Sequence, residues 1–256
     1  MKISQVAAQL YTVRDHLKTE KDFAESIRKV RKIGYPAVQL SGLGPIPEEA
    51  VAKILAEEGI ICASTHEDSQ QILNEPTKTA ERVRKYNCTS TAYAYPSGVK
   101  LDDLQDVLAL AKCLNQAGRI MLEHGVTLSY HNHSIEFRRY GHRTMLEILY
   151  DETDPRYLQG EPDTYWIQYG GGDSVEWCER LKGRLPLLHM KDYKTTAESR
   201  PAFAEIGQGN LNWKKIVAAA EASGAQWYIV EQDRSDGGPF DSLKMSFEYI
   251  RDNLCS

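Results

Sequence analysis

One local order recurs along this chain: a stretch with helical spacing of its apolar residues, then a glycine, then a short apolar run. The glycines at these places are Gly34, Gly59, Gly125 and Gly224. A glycine just past the last helical residue is a common helix stop, and strands that alternate with helices pair in parallel through crossovers. About eight such units predict an α/β fold, a (β/α)8 TIM barrel. We expect it to form a single domain over residues 1–256.

An open, doubly wound sheet is the alternative arrangement of the same units. Such a sheet normally carries a glycine-rich phosphate turn after its first strand. The stretch that ends the first predicted strand reads LYTVRD and contains no glycine. The sequence therefore favours the closed barrel.

The charge balance and the cysteines limit the classes of function. The chain has 31 Lys and Arg against 36 Asp and Glu, without a basic cluster, so it lacks the electrostatic footprint of a nucleic-acid binder. Five dispersed cysteines without a CxxC motif are typical of reduced thiols. No apolar run approaches the ~20 residues that span a bilayer, and the N-terminal apolar patch is too short and polar for a signal peptide. We expect a soluble cytoplasmic protein with neither a membrane nor a nucleic-acid partner.

Polar side chains with acid, base or metal-binding chemistry follow the predicted strands. In a barrel of this kind, catalytic residues come from the carboxyl ends of several strands. Because the strand interiors are largely apolar, we expect these polar groups at the mouth of the barrel. They are Gln9, Gln39, His66, His131, His133, Glu136, Asp163, His189, Asp192 and Glu231.

Four of these residues form the predicted metal site: Glu136, Asp163, His189 and Glu231. Two glutamates, an aspartate and a histidine suit Mn²⁺, Mg²⁺, Co²⁺ or Zn²⁺ and disfavour a soft thiolate site. Taken singly, each is more simply explained as a solvated loop residue or an ion-pair partner. Their shared place, at the end of a strand in four different units, favours one site for one divalent ion.

The other candidate residues can have a role in the site or a purely structural role. His66 and His133 are equally explained as substrate contacts or as buried polar residues, whereas His131 is expected to be a buried, hydrogen-bonded histidine. Lys191 can bind a substrate oxygen, although a surface ion pair is the simpler role for it. Asp192 is expected to bind the backbone of a loop.

Several motifs together resemble those of a known family. They are VTLSYHNHSIEF, LPLLHMKD, EIGQGNLNW and YIVEQD, joined by QLYTVRD and IGYPAVQLSG, so the similarity extends over nearly the whole chain. The chain resembles the sugar phosphate isomerase/epimerase family, which has a xylose isomerase-like barrel. That family includes ketose 3-epimerases, inosose dehydratases, hydroxypyruvate isomerases, keto-glycoside epimerases and endonuclease IV. The resemblance implies a single-metal site on Glu136, Asp163, His189 and Glu231.

Two positions depart from the ketose 3-epimerase pattern. Those enzymes carry a histidine three residues after the aspartate, where this chain has Trp166. They also carry an arginine soon after the seventh-strand histidine, where this chain offers only Lys194. Endonuclease IV uses more histidines, for three zinc ions, than this chain has at matching places. The resemblance is therefore more specific for the fold and the metal site than for the substrate.

The function predicted from the sequence is a metal-dependent isomerase or epimerase of a sugar, keto-sugar or keto-glycoside. Glu136 and Glu231 would flank the substrate, one removing the proton beside the carbonyl and the other returning it to the opposite face of an enediolate. Loss of a neighbouring hydroxyl from the same intermediate would instead make an inosose-type dehydratase. A barrel that only binds carbohydrate is the non-catalytic alternative, and the charged helical exterior is compatible with a homo-oligomer. The predicted substrate contacts are His66, His133, Trp166 and Lys191.

Overall fold

The structure is a computed structural model that describes residues 1–255. Eight parallel strands form one sheet. The first six strands pair with one another in chain order, from the first with the second to the fifth with the sixth. The eighth strand pairs with both the first and the seventh. This is the predicted (β/α)8 barrel rather than an open sheet. In chain order the strands are Val6–Gln9, Ala37–Leu40, Ile61–Glu67, Ser90–Tyr93, Thr127–His131, Gln159–Glu161, Leu187–Met190 and Trp227–Val230.

The barrel closes less tightly between its sixth and seventh strands. These two strands are not paired along their length, and they meet at an isolated bridge between Asp163 and His189. Beside that bridge, the His189 N–H donates to the carbonyl oxygen of Pro162 at 3.0 Å. Two of the predicted metal ligands therefore lie at the junction that closes the barrel.

Helices cover the outside of the sheet. The helix Glu20–Ile33 ends at Gly34, whose φ of 126° is unfavourable for residues with a side chain. Asn212 caps a later helix, since its side chain accepts a hydrogen bond from the Lys215 N–H. The α-helices are Glu20–Ile33, Glu48–Glu57, Ser69–Asn74, Pro76–Lys85, Leu104–Glu123, Met145–Asp151, Thr164–Tyr169, Ser174–Arg180, Trp213–Ser223 and Pro239–Asn253, and the 3-10 helices are Ile3–Gln5, Leu10–His16 and Ile135–Phe137.

The interior of the barrel changes from apolar to polar along the strands. Near the amino ends of the strands it holds a small apolar cluster. Side chains alternate along a strand, so the residue two positions further lies on the same inner face. That step leads from apolar residues to polar ones on four strands, and a polar layer therefore lies directly above the apolar cluster. The pairs are Ala7 and Gln9, Ala37 and Gln39, Leu187 and His189, and Ile229 and Glu231.

Three local features differ from the expectations. The third strand continues to Glu67, so His66 lies within it rather than after it. A six-residue helix, Thr164–Tyr169, begins directly after Asp163. Two antiparallel hairpins extend the loops: Arg139–Tyr140 with Arg143–Thr144, and Asp192–Thr195 with Pro201–Ala204. Within residues 1–255, no helix is both long and apolar enough to cross a membrane.

Candidate active site

Four buried side chains converge at the carboxyl end of the barrel. They are His131, Asp163, His189 and Glu231, and one nitrogen or oxygen atom from each lies within 4.8 Å of those of the others. They come from the ends of the last four strands or from the next residues. Three of these residues belong to the predicted metal site, but the fourth place in this group is taken by His131 and not by Glu136.

Glu136 is buried in the 3-10 helix that follows the fifth strand. Its Oε1 accepts a hydrogen bond from the Tyr130 hydroxyl at 2.9 Å, and its Oε2 accepts one from the His133 N–H at 2.8 Å. His131 reaches the group because it is the last residue of the strand, whereas Glu136 lies beyond the point where the chain turns away. Glu136 thus holds the segment that carries His131 and His133.

The carboxylate of Asp163 is positioned by the short helix after it. Asp163 is the N-cap, and its Oδ1 accepts a hydrogen bond from the Trp166 N–H at 3.0 Å. The Asp163 N–H in turn donates to Oδ1 of Asn132 at 3.1 Å, which ties this residue to the loop after the fifth strand. Because Oδ1 is used by the cap, Oδ2 is the oxygen left for the group.

Lys191 is fully buried, so the surface ion pair expected for it is wrong. Its Nζ lies 2.7 Å from Glu231 Oε2, 2.9 Å from Asp233 Oδ2 and 3.2 Å from Asp163 Oδ2. Burial alone would lower the pKa of Lys191, but the three carboxylates outweigh burial and raise it. A permanent cation therefore compensates the negative charge of this end of the barrel.

The three buried acids of the predicted site differ in their pKa. Burial would raise the pKa of Glu231, but Lys191 and His189 hold it well below the usual value. Burial raises the pKa of Asp163 to about 6, against the opposing effect of Lys191. Burial raises the pKa of Glu136 to about 7. At neutral pH, Glu231 is therefore a carboxylate, and Glu136 lies near its titration midpoint.

The histidines at this end also differ from one another. Burial lowers the pKa of His131 well below its usual value and that of His133 to about 3, so both rings are neutral at pH 7. Burial would also lower the pKa of His189, but the neighbouring acids Glu161 and Glu231 raise it. Neutral imidazoles are the form of histidine that binds a metal ion.

The group has the donor chemistry and an unpaired buried nitrogen that a divalent ion needs. Buried polar atoms are normally hydrogen-bonded, yet His189 Nδ1 is buried without a hydrogen bond, 3.3 Å from Glu231 Oε2. Asp163 Oδ2 also lacks a hydrogen bond and is ion-paired with Lys191 Nζ at 3.2 Å. Two imidazoles and two carboxylates form a mixed nitrogen and oxygen set of the kind that Zn²⁺, Mn²⁺ or Co²⁺ accepts. The residues present therefore fit such an ion.

A cavity of about 300 Å³ opens next to the group. Its wall includes Glu231 and His131 of the group, together with His66, His133 and Asp233. This volume is at the lower end of small-molecule sites and suits a compact ligand. The complete lining is Tyr11, Ser41, His66, Ala94, Tyr95, His131, His133, Glu231 and Asp233.

The four predicted substrate contacts lie at different depths. His66 and His133 line the cavity. Trp166 packs behind His133, with 5.3 Å between the two ring centroids, and Lys191 lies among the carboxylates. The structure thus brings all four near the group, with two of them at the cavity wall.

Two acids of this region were not singled out from the sequence. Glu161 lies two residues before Asp163 and is fully buried, and Asp233 lies two residues after Glu231. Strand alternation was the available signal, because residues two apart share a face. Asp192 was expected to bind a loop backbone and does so: its carboxylate accepts hydrogen bonds from the N–H groups of residues 193, 207, 209 and 211 and from the indole of Trp213.

Known proteins show the same fold. The protein family described as xylose isomerase-like TIM barrel matches residues 27–253. The chain superposes on a sugar phosphate isomerase/epimerase from Parabacteroides distasonis with a TM-score of 0.82 and 22% identity, covering 98% of this chain and 95% of that one. It superposes on an L-ribulose 3-epimerase with a TM-score of 0.75 and 13% identity, covering 98% and 94%. At these identities the likeness concerns the fold.

Curated relatives are inosose dehydratases. The chain is 27% identical over 158 residues to the enzyme of Geobacillus thermodenitrificans, covering 54% of this chain and 52% of that enzyme. It is 30% identical over 159 residues to the enzyme of Geobacillus kaustophilus, covering 56% and 51%. The chain spans about half the length of the curated relatives it matches.

Fold and site together define a class: parallel α/β barrels whose strand ends carry a buried group of histidine, aspartate and glutamate able to bind a metal ion. Within that class, this chain belongs to the xylose isomerase-like TIM barrel family. Members of this family are sugar-modifying enzymes, among them isomerases, epimerases and dehydratases.

Proposed function

We propose that this protein is a divalent-metal-dependent isomerase or epimerase of a small, uncharged sugar or polyol that carries a carbonyl group. The observation that carries the proposal is the position of Glu231. It belongs to the buried metal-binding group and also lines the cavity of about 300 Å³. A carboxylate at that boundary can act on a ligand that is held next to the ion.

His131, Asp163, His189 and Glu231 are the residues we propose to hold the ion. A divalent ion bound there would supply Lewis-acid polarisation of a carbonyl oxygen. Glu136, which the sequence placed among the ligands, engages Tyr130 and the His133 N–H with its two oxygens. We therefore assign Glu136 a positioning role on the histidine segment.

Glu231 is the proposed base. It lines the cavity and is ionised, so its carboxylate can accept a proton from the carbon beside the substrate carbonyl. The electrons of that C–H bond form the double bond of an enediolate, and the carbonyl oxygen gains the negative charge. Return of the proton from Glu231 to the neighbouring carbon gives the isomer. For the epimer, a proton reaches the opposite face of the same carbon from solvent in the cavity, because His133 on the cavity wall has a pKa of about 3 and no proton to give.

The charge of the cavity favours an uncharged substrate. Two carboxylates, Glu231 and Asp233, are in its wall, and no lysine or arginine is among its lining residues. Lys191 is already paired with three carboxylates, and Arg14 at the mouth donates to the carbonyl oxygens of Tyr11 and Asp233. A phosphate ester would find no lysine or arginine side chain in the lining to bind it, and the charge of the proposed divalent ion is already balanced by the carboxylates around it.

A dehydratase is the second candidate, and the inosose dehydratases among the relatives favour it. The first step is the same proton transfer to Glu231. The bond between the next carbon and its hydroxyl then breaks as the enediolate electrons form a new double bond, and the hydroxyl takes up the proton held by Glu231 and leaves as water. Both candidates need the same residues, so the products distinguish them.

The test is exchange of substrate hydrogen with solvent deuterium, followed by NMR in the presence of saturating Mn²⁺ or Zn²⁺. Neutral keto-sugars, inososes and keto-glycosides are screened, with phosphate esters of the keto-sugars alongside. We expect exchange with neutral compounds only. With an active compound, Glu231→Gln at the same metal occupancy should slow exchange by roughly 10²–10⁴-fold, the usual contribution of a general base.

The control is Glu67→Gln, a largely buried glutamate at the end of the third strand that pairs with Arg82 outside the barrel. It should exchange at the wild-type rate. A wild-type rate in metal-loaded Glu231→Gln would rule out Glu231 as the base. Binding of a sugar without exchange in any metal-loaded protein would favour the carbohydrate-binding barrel.

A further inference from the structure

A hydrogen-bonded network of two buried amides and one buried carboxylate lies behind the metal-binding group. None of these three residues belongs to the group, so metal binding by the group does not explain why they are buried there. Gln9, Gln39 and Glu161 come from the first, second and sixth strands and are fully buried at the centre of the barrel. They connect to His66 and His189 by hydrogen bonds of 2.6–3.4 Å. Burying a carboxylate and two amides is costly, so a network of this size requires a reason.

The two ends of this network determine which atom donates and which accepts in the hydrogen bonds between Gln9, Gln39 and Glu161. At one end, the Tyr11 N–H donates to Gln9 Oε1 at 3.2 Å, so the amide nitrogen of Gln9 must point the other way, to Gln39 Oε1 at 2.7 Å. At the other end, the Glu161 carboxylate can only accept, and it takes hydrogen bonds from Gln39 Nε2 at 2.6 Å and from His66 Nε2 at 2.6 Å. Both ends of the network thus impose the same orientation on the Gln39 amide: its oxygen faces Gln9 and its nitrogen faces Glu161.

The orientation of Gln39 decides the tautomer of His189. Gln39 Oε1 lies 2.6 Å from His189 Nε2, and an amide oxygen only accepts, so Nε2 must carry the proton. The lone pair of the neutral ring is then on Nδ1. Nδ1 is the atom that lies 3.3 Å from Glu231 Oε2 and 3.8 Å from Asp163 Oδ2, on the side of the metal-binding group.

Glu161 is also close to the second histidine of the group, but without a hydrogen bond to it. Its Oε2 lies 3.5 Å from His131 Nδ1, and this nitrogen is buried without a hydrogen-bond partner. The hydrogen-bonded connection from Glu161 therefore leads through Gln39 to His189, at the place where the outer partner of a metal-binding histidine is usually found.

We propose that Glu161, acting through Gln39, is a positioning residue that sets the ligand tautomer of His189 for the ion. The inference rests on the metal site of the proposed function and adds two residues to it. The carboxylate binds neither ion nor substrate; it fixes which nitrogen of the His189 ring is free. The structure also offers a competing reading, because His66, His131, Glu161 and His189 are close enough to form a second cation site.

Glu161→Gln tests the inference because the new amide cannot accept from both of its donors. If its oxygen faces His66, its NH₂ faces Gln39, whose amide must then turn and present Nε2 to His189. If its oxygen faces Gln39, its NH₂ meets the Nε2–H of His66. We expect the first arrangement to move the proton of His189 to Nδ1 and to raise the Zn²⁺ dissociation constant by roughly 10–100-fold.

The exchange variant Gln39→Glu/Glu161→Gln should restore the wild-type pattern. The carboxylate introduced in the second strand accepts from Gln9, from His189 and from the amide introduced in the sixth strand. The oxygen of that amide accepts from His66. Every donor again meets an acceptor at unchanged total charge, so we expect recovery of most of the lost Zn²⁺ affinity.

Two readouts decide the outcome: the stoichiometry and dissociation constant of Zn²⁺ from isothermal titration calorimetry, and the histidine tautomers from ¹⁵N NMR of the metal-free protein. Glu67→Gln is the matched buried-carboxylate control and should bind as the wild type does. Wild-type tautomers and affinity in Glu161→Gln would overturn the inference, as would an exchange variant no tighter than Glu161→Gln. Should Glu161→Gln not fold, Gln39→Met replaces it, because it removes the acceptor of His189 Nε2. We then expect a similar loss of Zn²⁺ affinity, and a wild-type tautomer and affinity in Gln39→Met would overturn the inference.

The proposed function and this inference fail in different ways. A wild-type protein that binds no ion contradicts the metal site itself. One ion in the wild type with no effect of the Glu161 variants leaves the metal site intact and removes the positioning role. Two ions in the wild type, and one after Glu161→Gln, would make Glu161 a direct ligand of a second site and overturn the inference.

Discussion

At the scale of single residues, two buried glutamates that follow different strands, Glu136 and Glu231, have pKa values shifted in opposite directions because their surroundings differ. Glu231 lies beside the Lys191 ammonium, and its pKa is held well below the usual value despite burial. Glu136 is equally buried but meets only neutral donors, Tyr130 and the His133 N–H, and burial raises its pKa to about 7. An adjacent cation thus decides which glutamate is a carboxylate at neutral pH.

The raised pKa of Glu136 predicts how stability changes with pH. The folded protein holds this proton more tightly than the unfolded chain, whose value is 4.5, so folding is favoured below pH 4.5 and this contribution is lost as pH rises to about 7. Relative to Glu136→Gln, metal-free wild type should lose about 3 kcal/mol of unfolding free energy between pH 4 and 8. Urea unfolding of both proteins across that range measures the difference. Parallel curves for the two proteins would contradict a raised pKa.

At the scale of elements, Asp192 organises the loop that leads from the seventh strand to the helix Trp213–Ser223. Its two oxygens accept four backbone N–H groups and the Trp213 indole. Gly209 lies against this carboxylate, and a Cβ there would be 2.3 Å from Asp192 Oδ1 and 2.6 Å from the Tyr193 carbonyl oxygen. Neither atom can move away cheaply, since one is held by hydrogen bonds and the other belongs to the backbone.

Gly209→Ala should therefore destabilise the protein by roughly 1–3 kcal/mol, the usual cost of forcing an extra methyl group into a packed region. Thermal or urea unfolding measures the loss. Gly237→Ala is the matched control, because a Cβ at Gly237 meets nothing within 4 Å, and it should stay within about 0.5 kcal/mol of the wild type. Equal stability of the two variants would show that the loop yields to the methyl group.

At the scale of the whole molecule, the weakest junction of the barrel is also where the proposed ion binds. The sixth and seventh strands meet at the bridge between Asp163 and His189, and both residues belong to the metal-binding group. An ion held by both would link the two edges of the sheet. Metal binding and closure of the barrel are then expected to be coupled.

Zn²⁺ or Mn²⁺ at 100 times its dissociation constant should add about 2.7 kcal/mol of stability and raise the melting temperature by roughly 5–10 °C. Elemental analysis of protein purified without chelator should find about one ion per chain. Amide hydrogen exchange should slow at Gly160 and His189, whose N–H groups donate across or beside the junction.

Asp163→Ala should bind no ion and show no metal-dependent shift in melting temperature. His142→Ala removes an exposed histidine that is not a member of the group and should behave as the wild type does. A shift of equal size in Asp163→Ala would place the stabilising ion elsewhere. No ion in the wild type, even after soaking with Mn²⁺ or Zn²⁺, would contradict the proposed ligand set.

The sequence by itself determined the barrel and much of the group at its mouth. Helix stops at glycine and short apolar runs are local signals, and their repetition was enough for the (β/α)8 topology. Parallel strands bring their carboxyl ends to one edge, so Asp163, His189 and Glu231 could be grouped without knowing any distance. The only information this grouping needed was that each of the three residues lies at the end of a strand.

Only the tertiary structure decided which neighbours complete the group and how they are charged. His131 rather than Glu136 joins it because His131 ends the fifth strand, whereas Glu136 lies in the 3-10 helix that begins four residues later, at Ile135. Lys191 is buried because three carboxylates from two separate segments surround it: Asp163 after the sixth strand, and Glu231 and Asp233 after the eighth. Gln39 contacts Glu161 and His189, which are 122 and 150 residues away in sequence. Contacts across the barrel depend on closure and on where each loop turns, and no local pattern in the sequence encodes either.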